Sequence, residues 1–497
     1  MKQRLLVCLL CLLVIAGCKK DSPINTVVPP TTKPPVIYEL FSVAGVLQSN
    51  MVIQRDKPAK IWGTAKPTSV ITINASWNNA PITATSTAAG TWEVYIPASP
   101  ANASPQTLSI ATPGETDVAF NNILIGDVWV CAGQSNMNMP VGPLAPSFGG
   151  VENYAAEIAA ANYPQIRSYT VKEDYESAPA ADFSSPASWV VCSPDNAGSL
   201  SATAYFFARK LHTDLQVPIG IIVSSVNGSW CETWTNKTAL QNDPQLSGYI
   251  GQHQSSTLFN GMIAPLTKLS VKGFTWYQGE NNQKMSPLTD YTKLNAALIN
   301  GWRAEFNQGE LPFYYVQITP FDDDSSDNPT LNYLAKFRET QANVRAAVPG
   351  AGMVITMDAG EVTNHHPRYK KQVGDRLALL ALSNAYGKPV QSVGPQYASF
   401  TPNGNTVTVN FTSGTATGLN TIGNAPINQF FFVAGADQVF RKATATISGD
   451  KIVLTAPNGT PLPVAAVRYA FTNYPITNLQ SAAGLPMEPF RTDNWSN

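Results

Sequence analysis

Four short segments of this chain carry residue types that together can transfer an acyl group. The first is Val128-Trp129-Val130-Cys131-Ala132-Gly133-Gln134-Ser135-Asn136-Met137. A β-prone apolar run stops there at a Gly-Gln-Ser-Asn turn, which sets one hydroxyl at the carboxyl end of a strand. In open α/β sheets ligands bind at that edge, so Ser135 is a candidate nucleophile. A nucleophilic serine needs a base, and the chain has four histidines: His212, His253, His365 and His366. His212 falls at the end of an amphipathic helix and reads as a surface residue. His253 sits in the polar loop Gly251-Gln252-His253-Gln254. His365 and His366 lie between a strand ending at Asp358 and a helix beginning near Tyr369, again beyond a strand's carboxyl end. Pro367 fixes the chain's exit from that pair. Imidazole titrates near pH 6.5, so it can take and return a proton at neutral pH. An acyl site also needs donors aimed at the developing oxyanion. Ser224-Ser225-Val226-Asn227-Gly228-Ser229 offers backbone N–H groups at a glycine, and Tyr277-Gln278-Gly279-Glu280-Asn281-Asn282 offers side-chain amides. Each segment alone is an ordinary turn. That all four follow strands of one sheet is what makes a site of them.

The elements that must position these residues are legible in the periodicity. From residue 123 apolar runs of strand length alternate with helical segments. Strands are expected at 127–132, 219–224, 273–277, 312–318 and 353–357. Helices are expected at 202–215, 290–306, 335–348 and 369–386, where Val373, Leu377 and Leu380 recur at helical spacing. This is an α/β pattern with a largely parallel sheet flanked by helices. Residues 37–122 read differently, as short alternating runs split by Pro, Gly and Asn, for example Thr91-Trp92-Glu93-Val94-Tyr95-Ile96; that spacing predicts a β-sandwich. Short alternating segments return after Lys388. They fit a second β domain over 389–497, or strands that pack against the first.

Composition excludes several function classes. The chain has 497 residues, a net charge of −1 and 13% charged residues, about half the usual charged share. It has no basic stripe, so nucleic acid is not an expected partner. The N-terminus reads as a targeting segment, with Lys2 and Arg4 before an apolar core from Leu5 to Ala16 that is too short to span a bilayer. It ends in Ile15-Ala16-Gly17-Cys18, which resembles a bacterial lipobox. The resemblance implies a signal peptide over 1–17, cleavage before Cys18, lipidation of Cys18, and anchoring to a membrane of the bacterial cell envelope. The Pro-rich stretch 18–36 then reads as a tether. Of six cysteines, Cys131, Cys192 and Cys231 remain in the folded part. Three allow at most one disulfide, and no Cys/His spacing resembles a zinc site. Cys131 is a poor nucleophile candidate because it sits inside the apolar run.

Several ordered blocks resemble the sialate O-acetylesterase family within the SGNH hydrolases. They are Gly133-Gln134-Ser135-Asn136-Met137, Ser224-Ser225-Val226-Asn227-Gly228-Ser229-Trp230-Cys231-Glu232-Thr233-Trp234, Trp276-Tyr277-Gln278-Gly279-Glu280-Asn281-Asn282 and His366-Pro367-Arg368-Tyr369-Lys370. Met51-Val52-Ile53-Gln54-Arg55-Asp56-Lys57-Pro58, Phe259-Asn260-Gly261-Met262-Ile263, Val467-Arg468-Tyr469 and the segment from Gly484 to Asp493 extend the likeness over nearly the whole mature chain. The resemblance implies a flavodoxin-like SGNH-hydrolase domain over 123–388 between two accessory β regions. It implies that Ser135 attacks an acetyl carbonyl and that His366 is general base, then acid for the departing sugar hydroxyl. The backbone N–H groups of Ser135 and Gly228 and the side-chain amide of Asn282 would hold the oxyanion. No metal or organic cofactor is implied.

Three positions depart from the family pattern. Asn227 stands where the family usually has a glycine. Trp230 brings a large ring beside the same loop, to narrow the acyl site or to stack on a sugar. Thr363 stands where related hydrolases often have an aspartate, three residues before the histidine. Asp358 and Glu361 are the nearest carboxylates. Asp358 is the expected orienter of His366, with a Ser-His dyad assisted by a backbone carbonyl as the alternative. Glu232 and Glu280 read as structural. The implied substrate is an acetylated sugar, 9-O-acetyl sialic acid first and acetylxylan or another glycan second. A surface glycan-binding lipoprotein with a decayed site is the competing class, and Ser135, His366 and Asn282 argue against it.

Overall fold

The computed structural model describes residues 41–321, 332–361 and 363–495. The signal segment over 1–17, Cys18 and the tether over 18–36 lie outside the described residues.

Seven strands open the described chain: β1 (Ser42–Val43), β2 (Val52–Gln54), β3 (Ala59–Thr64), β4 (Val70–Ala75), β5 (Ile82–Thr85), β6 (Thr91–Ile96) and β7 (Asn102–Ala111). β1, β3 and β6 form one small antiparallel sheet. Alternation buries Trp92, Val94 and Ile96 of β6 and leaves Thr91, Glu93 and Tyr95 exposed, as expected for a sheet with one wet face. β4 pairs with β5 on one side and β7 on the other, and β7 pairs in turn with β8 (Val118–Gly133). β8 runs without a break through the change of character at residue 123. It belongs first to the N-terminal β region and then to the central sheet.

The central sheet continues with β9 (Ile166–Thr170), β10 (Trp189–Val191), β11 (Ile219–Ser225), β12 (Gly273–Tyr277), β13 (Phe313–Val316) and β14 (Ala351–Val354). Their order is β10-β9-β11-β8-β12-β13-β14, parallel except for the edge strand β10. Side-chain alternation along β8 sorts two cores. Val128, Val130 and Ala132 enter one, and Trp129 and Cys131 the other. Both faces are therefore buried, which is why the strand reads as a continuous apolar run.

The helices are α1 (Ser135–Asn138), α2 (Tyr154–Ala159), α3 (Ala202–Leu215), α4 (Lys237–Asn242), α5 (Asp290–Phe306), α6 (Tyr333–Ala347) and α7 (Lys370–Asn384). α3 and α7 pack on each other over the Trp129 face, where Phe206, Phe207 and Leu377 are buried. α5 and α6 cover the opposite face with Leu294, Trp302 and Phe337. Ser201 caps α3 by accepting the Ala204 N–H, one of the donors a helix start leaves unpaired. α3 and α5 both end on left-handed residues, Gln216 and Asn307.

Among the described residues the C-terminal strands form sheets of their own and do not pair with the N-terminal ones. Val407, Val409, Phe431, Val433, Ile452 and Leu454 give them a separate core. They are fastened to α6 by Arg338, which donates to the carbonyls of Thr472 (2.6 Å) and Asn473 (3.2 Å). Ion pairs Arg345–Glu488 and Arg491–Glu339 add to that seam.

Candidate active site

The strand register brings three of the four segments to one edge. Gly133 of β8 lies opposite Ser225 of β11 and Tyr277 of β12, so all three strands release their loops at the same level. Gly133 has φ +145, and a Cβ there would sit 2.2 Å from the Tyr277 carbonyl oxygen. Only glycine lets the nucleophile strand end so close to β12. The Gln134 N–H then donates to that same Tyr277 carbonyl at 3.0 Å, and Ser135 opens α1 with only 6% of its surface exposed.

A pocket of about 400 Å³ lies over this edge, lined by Ser135, Phe148, Gly228, Glu280, Asn281 and His366 among others. The His365 and His366 rings lie 4.1 Å apart between centroids with their planes tilted by 52°, and Phe148 packs on His366 at 4.9 Å. The His366 backbone N–H is held by Asn364 Oδ1 at 3.0 Å. Burial, and then the neighbouring charges of His365 and Lys370, push the His366 imidazole down to about pH 4. A hydrogen bond to the backbone of Ser147 opposes that shift.

Asp358 does not orient this ring. Its two oxygens accept from Arg376 of α7 at 2.7 and 2.6 Å, its side chain is 9% exposed, and it does not line the pocket. The guanidinium fork fixes the carboxylate bidentately toward α7, and among the described residues no hydrogen bond joins Asp358 to His366. Glu361 is likewise engaged, by the Asn364 amide at 2.7 Å and the Arg368 N–H at 3.2 Å. The alternative expectation, a Ser-His dyad assisted by a backbone carbonyl, has a counterpart in the hydrogen bond between the His366 ring and the Ser147 backbone.

The donor loops divide in an unexpected way. Gly228 lines the pocket at φ +66. Among the described residues neither its N–H nor that of Ser135 donates to another backbone group. Asn282, the expected third donor, is fully buried outside the pocket. Its Oδ1 accepts from the Cys231 N–H at 2.9 Å and from Gln278 Nε2 at 2.6 Å, and its Nδ2 donates to Glu232 Oε2 at 3.0 Å. Glu232 in turn meets His253 Nδ1 at 2.7 Å, and the His253 ring stacks on Trp230 at 4.0 Å. Asn282 is thus a strut between the two donor loops. The preceding residue, Asn281, faces the pocket, and its Nδ2 donates to the Gly228 carbonyl. Asn282→Ala should cost about 1–3 kcal/mol of stability, because buried donors on Cys231 and Gln278 lose their acceptor. A thermal melt checks this. An unchanged midpoint with a collapsed turnover would instead return Asn282 to the oxyanion site.

Two functional neighbours were not legible in the sequence. Asn136 is fully buried, and its Nδ2 donates to Glu280 and to the His365 carbonyl (3.0 Å). Lys370 is also fully buried and donates to Asn136 Oδ1 at 2.7 Å. Burial pushes the Glu280 carboxyl up, against the pull of Asn136 and Lys370. Its Oε2 is buried with no hydrogen-bond partner among the described residues. The three cysteines are buried and free, and desolvation pushes the Cys131 thiol up to about 12, so it stays protonated and inert.

A serine, a neutral histidine and unused backbone donors around one pocket suit ester hydrolysis, and known proteins of similar sequence agree. The family described as carbohydrate esterase, sialic acid-specific acetylesterase, matches residues 125–383. The chain is 33% identical to a carbohydrate acetylesterase from Xanthomonas citri, with a TM-score of 0.82 over 91% of this chain and 100% of that one. It is 29% identical over 389 residues to the human sialate O-acetylesterase, covering 70% of this chain and 72% of that protein. Against the mouse enzyme it is 26% identical over 414 residues, 70% of this chain and 74% of the other. With the matched segment spanning β8 to α7 and every loop of the pocket, the chain belongs to the sialic acid-specific acetylesterase family of carbohydrate esterases.

Proposed function

We propose that this esterase removes O-acetyl groups from sugars through an acetyl-enzyme on Ser135, with 9-O-acetyl sialic acid as its favoured substrate. The observation that carries the reading is the single pocket that holds Ser135, Gly228 and His366. The Ser135 hydroxyl attacks the acetyl carbonyl while His366 accepts its proton. The oxyanion forms against the backbone N–H groups of Ser135 and Gly228, which have no other backbone acceptor among the described residues. Collapse breaks the ester bond, and His366 returns the proton to the departing sugar oxygen. Water then attacks the acetyl-enzyme with His366 again as base, releasing acetate and restoring the serine. Phe148 shields the histidine face, so the proton moves between groups that water reaches poorly.

Lys284 supports the sialic acid preference. It lines the same pocket and is exposed, so the site offers a cation for a sugar carboxylate to pair with. The Xanthomonas citri relative is described only as a carbohydrate acetylesterase, so acetylxylan or another acetylated glycan is the second reading. Acetate release from 9-O-acetyl sialic acid and from acetylated xylan, measured side by side, decides between them. Faster release from the sialic acid is expected. Release from xylan alone would overturn the preference, and release from neither would overturn the esterase reading.

A further inference from the structure

We propose that Lys370, in the first turn of α7, is a positioning residue that clasps the histidine loop to the nucleophile turn through Asn136. This rests on the reading of His366 as general base. A lysine at a helix start after Pro367 would ordinarily extend into water. Here it is fully buried, and its ammonium has fixed partners. It donates to Asn136 Oδ1 and to the Pro367 carbonyl, both at 2.7 Å, and lies 5.6 Å from the centroid of the Tyr277 ring.

Those partners bracket the base. Asn136 holds the His365 carbonyl at 3.0 Å, and Lys370 holds the Pro367 carbonyl. The chain is therefore gripped on both sides of His366 by two side chains bonded to each other. Asn136 is also the residue after Ser135, and its own carbonyl accepts from Thr203 on α3 at 3.2 Å. The distance between nucleophile and base is thus set by one short path, Ser135–Asn136–Lys370–Pro367–His366. Two elements from opposite ends of the catalytic domain meet there without a backbone ladder between them.

The clasp also carries charge. The titratable groups facing Lys370 are Glu280 from the loop after β12, Glu361 and His366 from the loop before α7, and Tyr277 of β12, while His365 faces His366. The two carboxylates favour the ammonium, while burial pushes it down to about 7. Below that pH the lysine is a cation beside the His366 ring and disfavours a second positive charge there. A neutral donor would position the loop equally well but would not protect the base from protonation in acid.

The test compares Lys370→Met and Asn136→Ala with the wild type, using p-nitrophenyl acetate across the acid limb of kcat/KM. Lys370→Met is expected to lower kcat by about 10–100-fold, the scale of a small misplacement of reacting groups, with KM little changed. Its acid limb should move to higher pH, because His366 loses a cationic neighbour. Asn136→Ala should lower kcat comparably and leave the limb in place, since the charge remains. If Lys370→Met does not fold, Asn136→Ala alone decides the clasp. Wild-type kcat in Asn136→Ala overturns the clasp, and an unmoved limb in folded Lys370→Met overturns the charge role. Failure of the underlying reading is visible separately, as undiminished turnover in His366→Gln.

Discussion

Ser135→Ala is expected to lower kcat/KM for p-nitrophenyl acetate by on the order of 10⁵-fold, leaving a rate still above that of buffer. The change deletes one oxygen and nothing else the fold depends on. Ser135 is only 6% exposed and the substitution removes a single hydroxyl oxygen, so the variant should fold and melt like the parent. What disappears is the covalent route. The backbone N–H of residue 135 survives the substitution, as do Gly228 and His366, which is why some catalysis over buffer remains. Initial rates at saturating and limiting ester give the size of the loss. Acid quenching of the parent during turnover should also leave an acetyl group on the peptide carrying Ser135, and the variant should show none. Equal rates in parent and variant would remove Ser135 from the chemistry.

The parts of this site that were legible in the sequence are those that follow from the sheet. Apolar runs bounded by turns mark where β8, β11 and β12 end. Parallel registry then places whatever follows them along one edge, so Ser135, Gly228 and the 278–282 segment fall together. Hydrophobic spacing also locates the four long helices to within two residues. The failures begin where side-chain direction decides. Asn281 and Asn282 are adjacent, and Asn282 starts a single 3₁₀ turn that rotates it inward while Asn281 faces the pocket. No strand-end argument separates two neighbours across such a turn. Asp358 was the nearest suitable carboxylate to His366, but Arg376, more than four helical turns' worth of sequence away, takes it. Competition among charges for one another is a tertiary property, invisible to spacing. Lys370 fails for the same reason. Lysine is almost always exposed, and only the pocket formed by Asn136, Pro367 and Tyr277 makes its burial tolerable.

His366→Gln is expected to lower kcat by about 10²–10⁴-fold, less than the loss at Ser135, because water can replace a lost base but not a lost nucleophile. KM should change little, since Gln keeps a side chain of similar bulk against Phe148. The pH profile of the parent is the sharper measurement. The active form of the base is the neutral imidazole, so kcat/KM is present above its pKa in the free enzyme and is lost as pH falls through it. Burial, His365 and Lys370 push that pKa down to about 4. The parent should therefore keep its full kcat/KM through the region near pH 6.5 where an ordinary histidine is half protonated, and decline only as pH approaches 4. Circular dichroism at each pH, with recovery of rate on return to neutral, separates titration from unfolding. A reversible limb near 6.5 would mean that the ring is solvated in the working enzyme. His366→Gln should show no such limb at all. A low histidine pKa carries a chemical cost, because a weak base pulls poorly on the serine proton. The oxyanion donors must then supply more of the barrier reduction. The predicted order of losses, Ser135 beyond His366, is what a pocket built on that division of labour requires.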